Sequence, residues 1–370
     1  MRITLDVSPA VNGKAGLGRY AESLAAALPS DRLELFANVT PSGRWPASLD
    51  YLPRRAVRAG YKPWRMAVLL AQMAGIGWDR WIAPGDLFHA TEHLLLPLRH
   101  TPTVLTVHDL IFRRYPEHHK RLNYWYLNLA MPLYVRRADH IITISEHSKR
   151  DLIDLYGLAA AKISVIYEAA APHFCPQPPD RVEAVRRAYR LPERYILTVG
   201  TIEPRKNLDR LVAAFAQLRR TDPDLRLVVV GAEGWLTEGF HRAVADHAQA
   251  EAVIRPGYIP DADLPAVYAG AQVAVTASLV EGFGLPVLEA MACGTPVACS
   301  ETTSLGEIAG DAAHTFDPAD TQAIAAALQT ILGDADYRTV LRERGLRHAA
   351  RFSWARTAEQ TLAVYKEILR

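Results

Sequence analysis

A chain of 370 residues, 49% apolar and 22% charged, has a globular composition too long for one ordinary core, and it points to two domains of about 150 to 200 residues each. No run approaches the roughly 18 uninterrupted apolar residues of a membrane-spanning helix. The three cysteines, Cys175, Cys293 and Cys299, form no CxxC pair, which excludes a zinc ribbon or disulfide framework and leaves buried thiols. The formal net charge of +2 hides an asymmetry, because residues 1–170 carry +6 and the remainder −4.

The chain opens on MRITLDVSPA, which reads as a strand from the outset. It lacks the charged, long-apolar and small-residue order of a secretion signal, so a cytoplasmic protein is expected. GKAGLGRY, residues 13–20, follows at once. Gly16 and Gly18 read as a close-approach loop ahead of the helix RYAESLAAAL, although their spacing fits neither G-x-G-x-x-G nor a P-loop and also suits an ordinary turn. Residues 51–78 then hold Arg54, Arg55, Arg58, Lys62 and Arg65 without an acid among them. Trp64, Trp78 and, just beyond, Trp81 accompany these cations. The segment reads either as a basic surface helix packed on the core or as a contact with anionic membrane through residues 54–65, with the tryptophans at headgroup level. A second basic and aromatic stretch joins Arg113, Arg114, Lys120 and Arg121 to Tyr115, Tyr124, Trp125 and Tyr126.

Short β-branched runs recur with helical patterns between them: TVLTVHD at 103–109, HIITIS at 140–145 and KISVIYE at 162–168. Such a series predicts a parallel sheet with crossover helices. The proline-rich APHFCPQPPD, residues 171–180, breaks it, and a linker over 171–193 is expected to close a first domain of residues 1–170. A second series, RYILTVG, LRLVVVG, VIRPGYI, VAVTAS and TPVACS, predicts another doubly wound α/β domain over 194–351. The tail, residues 352–370, has Ser353 as an N-cap and apolar residues at helical spacing. It is expected to form one closing helix that crosses back to the first domain.

The densest chemical signal is EGFGLPVLEAMACGTPV, residues 281–297, directly after the strand VAVTAS. Ligands of open α/β sheets bind outside the carboxyl ends of the strands, where this loop must lie. Gly282 and Gly284 permit close backbone approach, and Pro286 suits the start of a helix whose N-terminal amides favour a diphosphate. Glu281 falls in the loop and Glu289 in the expected first turn, where a glutamate also complements the helix dipole. A second signal, VGTIEPRKNLDRLVAAF, brings Gly200 and the adjacent cations Arg205 and Lys206 to a strand-end turn. A forked guanidinium beside an ammonium suits phosphate oxygens, although RK pairs are commonly solvated surface.

Together, Glu281 and Glu289 seven residues apart, GTIEPRKNL and AGLGRY resemble the retaining glycosyltransferases of family 4, over nearly the whole chain. The resemblance implies the GT-B fold, two facing Rossmann-like domains with an interdomain active-site cleft. It implies that Glu289 binds the nucleotide ribose, that Glu281 contacts the donor sugar, and that Arg205 and Lys206 hold the diphosphate near Gly200. It also implies that Gly16 to Gly18 close over the phosphates, and that the amides of Phe283, Gly284 and Leu285 lie near the sugar. The base is expected against Tyr258 and Ile259, and His108 of TVHDL is expected to bond the transferred sugar. The competing reading of His108 is a strand-end histidine satisfied by backbone.

Aspartate pairs spaced D-x-D occur at Asp222, Asp261 and Asp334, each at a turn or helix start where aspartate is favoured. No catalytic metal and no cofactor are expected, the donor being a nucleotide diphosphate sugar. The segments TVHDLIFRRYPEHH and ITISEHSKRDL are similar to those of bacterial mannosyltransferases of polysaccharide assembly. They favour GDP-mannose, with UDP-glucose as the alternative donor and a glycan or lipid-linked acceptor. A Rossmann oxidoreductase is the rival enzyme class, but the dinucleotide fingerprint and its later ribose-binding acid are missing. An inactive nucleotide-binding homologue would have had no need to keep Glu281, Glu289, Arg205 and Lys206.

Overall fold

The computed structural model describes residues 1–370 apart from 83, 119, 248 and 249 and the side chains of 118 and 250. It divides into one unit of Met1–Glu168 with Ser353–Arg370 and another of Ala169–Phe352.

The first unit is built on seven strands: β1 (Ile3–Asp6), β2 (Leu33–Val39), β3 (Arg54–Arg58), β4 (Leu87–Ala90), β5 (Thr103–Val107), β6 (His140–Thr143) and β7 (Ile163–Val165). They pair in the order β3-β2-β1-β4-β5-β6-β7, all parallel. A parallel sheet is covered on both faces, so its inner strands are mostly apolar, and Ile3, Leu5, Leu105, Val107, Ile141 and Ile142 are all buried. The order reverses between β1 and β4, which opens a crevice at their carboxyl ends. Asp6 and the segment Thr91–His93 stand there.

The second unit repeats the plan with β8 (Tyr195–Val199), β9 (Arg226–Val230), β10 (Val253–Gly257), β11 (Val273–Thr276), β12 (Val297–Ser300) and β13 (His314–Phe316). The order is β10-β9-β8-β11-β12-β13, again parallel, and the reversal falls between β8 and β11. Each unit therefore has a doubly wound Rossmann-like sheet.

Several sequence expectations are corrected. Gly16 and Gly18 are not in a loop but in the first turns of the helix Ala15–Ala27, where a Cβ on Gly18 would lie 3.0 Å from the Pro9 carbonyl oxygen. Residues 171–193 are no linker, because they belong to the second unit and contain the helix Pro179–Ala188. Cys175 is exposed, whereas Cys293 and Cys299 are buried as expected. The basic segment splits into the edge strand β3 and the helix Tyr61–Ala74. Arg54 pairs with Asp50 and Arg55 with Glu34. Trp64 and Trp78 are only 7% and 9% exposed, their rings tilted against each other in the core, so neither reaches a headgroup layer; of the three, Trp81 is the exposed one, at 80%.

The tail forms the helix Trp354–Ile368, and the Ser353 hydroxyl accepts from the Arg356 amide at 3.3 Å. It packs within the first unit. The Tyr365 hydroxyl lies 2.6 Å from His89 Nδ1, Thr357 donates to the Tyr167 carbonyl at 2.7 Å, and Trp354 meets the ring of Tyr20. Among the described residues no helix is long and apolar enough to cross a membrane.

Candidate active site

In the second unit the loops after β8 and β11 meet because those strands are neighbours. After β8, Gly200 has φ +149°, and a Cβ there would lie 3.2 Å from Lys206 Cε. The bare glycine leaves room for the lysine stem to lie across the strand end. A short 3₁₀ turn, Pro204–Lys206, then presents both cations before the helix Leu208–Leu218. Asn207 fixes the turn: its φ is +57°, and its amide donates to the carbonyls of Ala277 at 3.0 Å and Pro318 at 2.8 Å. The two loops are thus bonded to each other.

Glu281 stands between the cations. Its Oε2 accepts from Arg205 at 2.6 Å, and its Oε1 accepts from Lys206 at 2.6 Å and from the Ser278 hydroxyl at 2.7 Å. Arg205 also pairs with the buried Glu203 at 2.6 Å. Burial alone would push the Glu281 carboxyl up, but the charges of Arg205 and Lys206, with the Lys206 and Ser278 hydrogen bonds, outweigh it and hold the group down at about 2. Its backbone is pinned as well, the amide donating to Thr303 Oγ1 at 3.2 Å and the carbonyl accepting from Ser304 at 2.8 Å.

Gly284, at φ +123°, is the N-cap of the helix Leu285–Ala292, with Pro286 in its first turn. Only glycine adopts that backbone readily, and a Cβ would meet Leu305 at 2.8 Å. Phe283 is buried against Phe352. Glu289 falls one turn deeper than expected and cannot serve as a first-turn dipole partner. It is 2% exposed and accepts from the Tyr268 hydroxyl at 3.0 Å. Tyr258 is 72% exposed beside the buried Ile259, so only the Tyr258 ring and the local backbone are open to a base. Sequence reading missed Glu203, Ser278, Tyr268, Thr303 and Ser304. Glu203 and Ser278 lie within three residues of the motif residues they bind; the others are distant in sequence.

In the first unit the helix Ala15–Ala27 carries Gly16 and Gly18, and just before it Lys14 pairs with Glu92 and meets the Tyr61 hydroxyl at 2.9 Å. His108 ends its strand fully enclosed. Its Nδ1 lies 3.2 Å from Glu168 and its Nε2 2.9 Å from the Thr91 carbonyl. Burial pushes the imidazole down, yet the Glu168 hydrogen bond and charge, with Thr91 and Asp109, raise it above its ordinary value. His108 is therefore satisfied by a carboxylate and a backbone carbonyl together, and Asp109 is a turn residue accepting from the Ile111 amide. Among the described residues no group of three or more histidines, cysteines or carboxylates is arranged to hold a metal. Asp222 pairs with Arg194, Asp263 takes the Tyr189 hydroxyl, and Asp334 caps a helix at the Tyr337 amide.

Two measurements follow from these networks. Glu281→Gln should lower stability at pH 7 by about 2 kcal/mol, less than the roughly 3–5 of a fully buried pair because Arg205 keeps 23% exposure. A depressed carboxyl stabilises above its unfolded value and loses that contribution as pH falls through the folded one, so the gap to the parent should close between pH 4.5 and about 2. Urea unfolding across that range reads it, and equal stability at pH 7 would refute the ion cluster. For His108, Glu168→Gln removes the charge that raises the imidazole. Histidine NMR titration should show its pKa falling. An unmoved titration would show that Glu168 does not hold the proton.

Residues 15–172 match the family model described as Glycosyltransferase Family 4, and residues 183–348 match Glycosyl transferases group 1. The chain is 32% identical to O-antigen chain mannosyltransferase B of Escherichia coli over 99% of its own length and 100% of that relative. It is 31% identical to the serotype-specific mannosyltransferase WbdA of Escherichia coli over 72% of its length and 34% of that longer protein. A sucrose-phosphate synthase from Thermosynechococcus elongatus superposes with a TM-score of 0.79 at 21% identity, over 100% of this chain and 99% of the other, and so shares the fold. A relative matched end to end at that identity, on two sheets of this topology, places the chain in glycosyltransferase family 4, with the GT-B fold.

Proposed function

We propose that this glycosyltransferase moves mannose from GDP-mannose, with retention, onto a glycan or lipid-linked acceptor in cell-surface polysaccharide synthesis. The full-length similarity to the O-antigen chain mannosyltransferase carries this reading. Breaking the bond between the sugar and the diphosphate builds negative charge on the departing phosphate oxygens. Arg205 and Lys206, already side by side and balanced by Glu281 and Glu203, are the groups that receive it. As the diphosphate takes the cations, Glu281 is released toward the sugar hydroxyls. Glu289 is the ribose acceptor, and the amides at Phe283, Gly284 and Leu285 serve the sugar and diphosphate. For His108 to donate to the transferred sugar, as the resemblance implies, its Nε2 must exchange the Thr91 carbonyl for a sugar hydroxyl. Two protein cations and a helix N-terminus replace a metal in this scheme.

The test is transfer from a panel of nucleotide sugars in excess EDTA, alongside thermal shifts with the free nucleotide diphosphates. GDP-mannose should support transfer, and GDP at 100 times its dissociation constant should add about 2.7 kcal/mol. Arg205→Ala or Lys206→Ala should lower turnover about 10²-fold or more while the protein still folds. Unchanged turnover in both would reject the clamp, transfer from UDP-glucose alone would replace the donor, and a requirement for added Mg²⁺ would overturn the metal-free scheme.

We further propose that the enzyme works at the cytoplasmic face of a membrane. The contact is moved from residues 54–65 to the outer faces of two helices. Met66, Leu70 and Met73 are exposed on Tyr61–Ala74, and Leu122, Trp125 and Leu129 on Arg121–Arg137. The helices are joined by Arg65 donating to Asn123 at 2.9 Å and Tyr126 donating to the Arg65 carbonyl at 3.1 Å. Large apolar side chains at helical spacing among cations are the composition of an interfacial surface. Leu70→Glu with Trp125→Glu should abolish sedimentation with anionic vesicles, and undiminished sedimentation would place the contact elsewhere.

A further inference from the structure

The helix Tyr61–Ala74 ends at the amino-terminal edge of the first sheet, the edge opposite His108. A cavity of about 290 Å³ opens there, beside the starts of β5 and β6. Arg99, His100 and Arg137 line it, with Gln72 at its wall and Asp139 at the foot of β6. Arg137 is set in place by neighbouring groups. Arg137 donates through one guanidinium nitrogen to both the backbone and side-chain oxygens of Gln72. Gln72 is itself buried, and its amide donates to the carbonyls of Leu95 at 3.0 Å and Leu96 at 3.1 Å. The Arg99 stem runs along the turn after the helix, where a Cβ on Gly77 would strike Arg99 Cγ at 2.7 Å.

Charge balance makes this pocket unusual. Among the described residues neither Arg99 nor Arg137 has a carboxylate at ion-pair distance. Two acids stand at the site and both are occupied: Asp139 with the amide of Thr103 at 2.7 Å and its hydroxyl at 3.0 Å, and Asp79 with the amides of Arg99 at 2.9 Å, His100 at 3.0 Å and Thr101 at 3.2 Å. Burial and the charge of Arg99 both hold the Arg137 guanidinium below its ordinary value, so the two cations repel across the cavity. Two guanidinium forks without an ion-paired carboxylate, Arg137 held by Gln72 and Arg99 exposed beside it, suit a tetrahedral oxyanion. Met73 and Ile76, both exposed, stand at the same end of the helix, which puts an apolar surface beside the cationic pocket. That pairing matches a lipid phosphate, whose charged head and acyl chains are joined in one molecule.

We propose that the pocket between Arg99 and Arg137 binds the phosphate of an anionic phospholipid headgroup. This rests on the membrane contact proposed above and supplies its lipid selectivity. The site lies at the sheet edge opposite His108, so it anchors the enzyme without taking part in transfer.

Vesicles of phosphatidylcholine with and without phosphatidylglycerol, and soluble glycerophosphate, are the probes. The parent should bind the anionic vesicles. Arg99→Gln with Arg137→Gln should weaken that binding by about tenfold or more, beyond the loss from removing equal charge outside the pocket by Arg58→Gln with Lys62→Gln. Arg99→Gln alone touches no hydrogen-bonded partner and guards against a folding artefact, which thermal melts of every variant also exclude. Glycerophosphate should raise the melting temperature of the parent and not of Arg99→Gln. If the parent binds vesicles and the pocket variants bind no worse than the control, the membrane contact stands and the pocket assignment falls. If the parent ignores vesicles but responds to glycerophosphate, the membrane contact falls and the pocket is a site for free phosphates, which overturns the lipid assignment. No response to either probe overturns both.

Discussion

Two cations held side by side at a strand end repel unless an anion is placed between them, and the second unit is organised around meeting that demand. Glu281 bridges Arg205 and Lys206, and Glu203 completes the balance behind Arg205. The bridge requires the loop after β11 to reach the loop after β8. Only a sheet whose strand order reverses between them makes those strands neighbours while sending their following helices to opposite faces. Asn207, Thr303 and Ser304 then hold the loops so that the carboxylate stays between the cations. Under the function proposed above, a diphosphate arriving at this cluster would exchange one anion for another, so the cations would not be desolvated anew.

The first unit uses the same crevice for different electrostatics. Here the strand ends carry a histidine and carboxylates instead of paired cations. Burial, opposed by the Ser8 hydrogen bonds and reinforced by the charge of Glu92, lifts Asp6 to about 7, while Lys14 offsets Glu92. His108 is steadied in its charged form by Glu168. One architecture thus supports an edge of paired cations in one unit and a proton-holding edge in the other.

The sequence was most legible where chemistry and periodicity coincide. The inner strands announce themselves because a doubly covered parallel sheet requires unbroken β-branched runs, and the motif residues Glu281, Arg205 and Lys206 do meet. The edge strand β3, RRAVR, carries charges toward solvent, as edge strands do, and so looks like a basic helix. β4, LFHA, and β13, HTF, carry no run of β-branched residues to mark them. Gly16 and Gly18 were read as a loop because glycine disfavours helices, and close packing overrode that propensity. The tryptophans near 64 and 78 show the limit of composition: a cationic neighbourhood says nothing of which face a side chain takes. Partners such as Thr303 and Tyr268 are fixed by tertiary proximity, which no local pattern encodes.

The helix Trp354–Ile368 completes the unit begun by Met1–Glu168, although Ala169–Phe352 lies between them in the chain. During synthesis, the partners of Tyr365 and Thr357 are therefore made long before those residues leave the ribosome. The first unit waits incomplete, with the surface around His89 and Tyr20 uncovered, until the second has been translated and its closing helix can return. Maturation of the earlier unit is thereby timed by the later one, and any arrest within residues 169–352 leaves a nascent chain whose oldest segment still exposes apolar surface to chaperones and proteases.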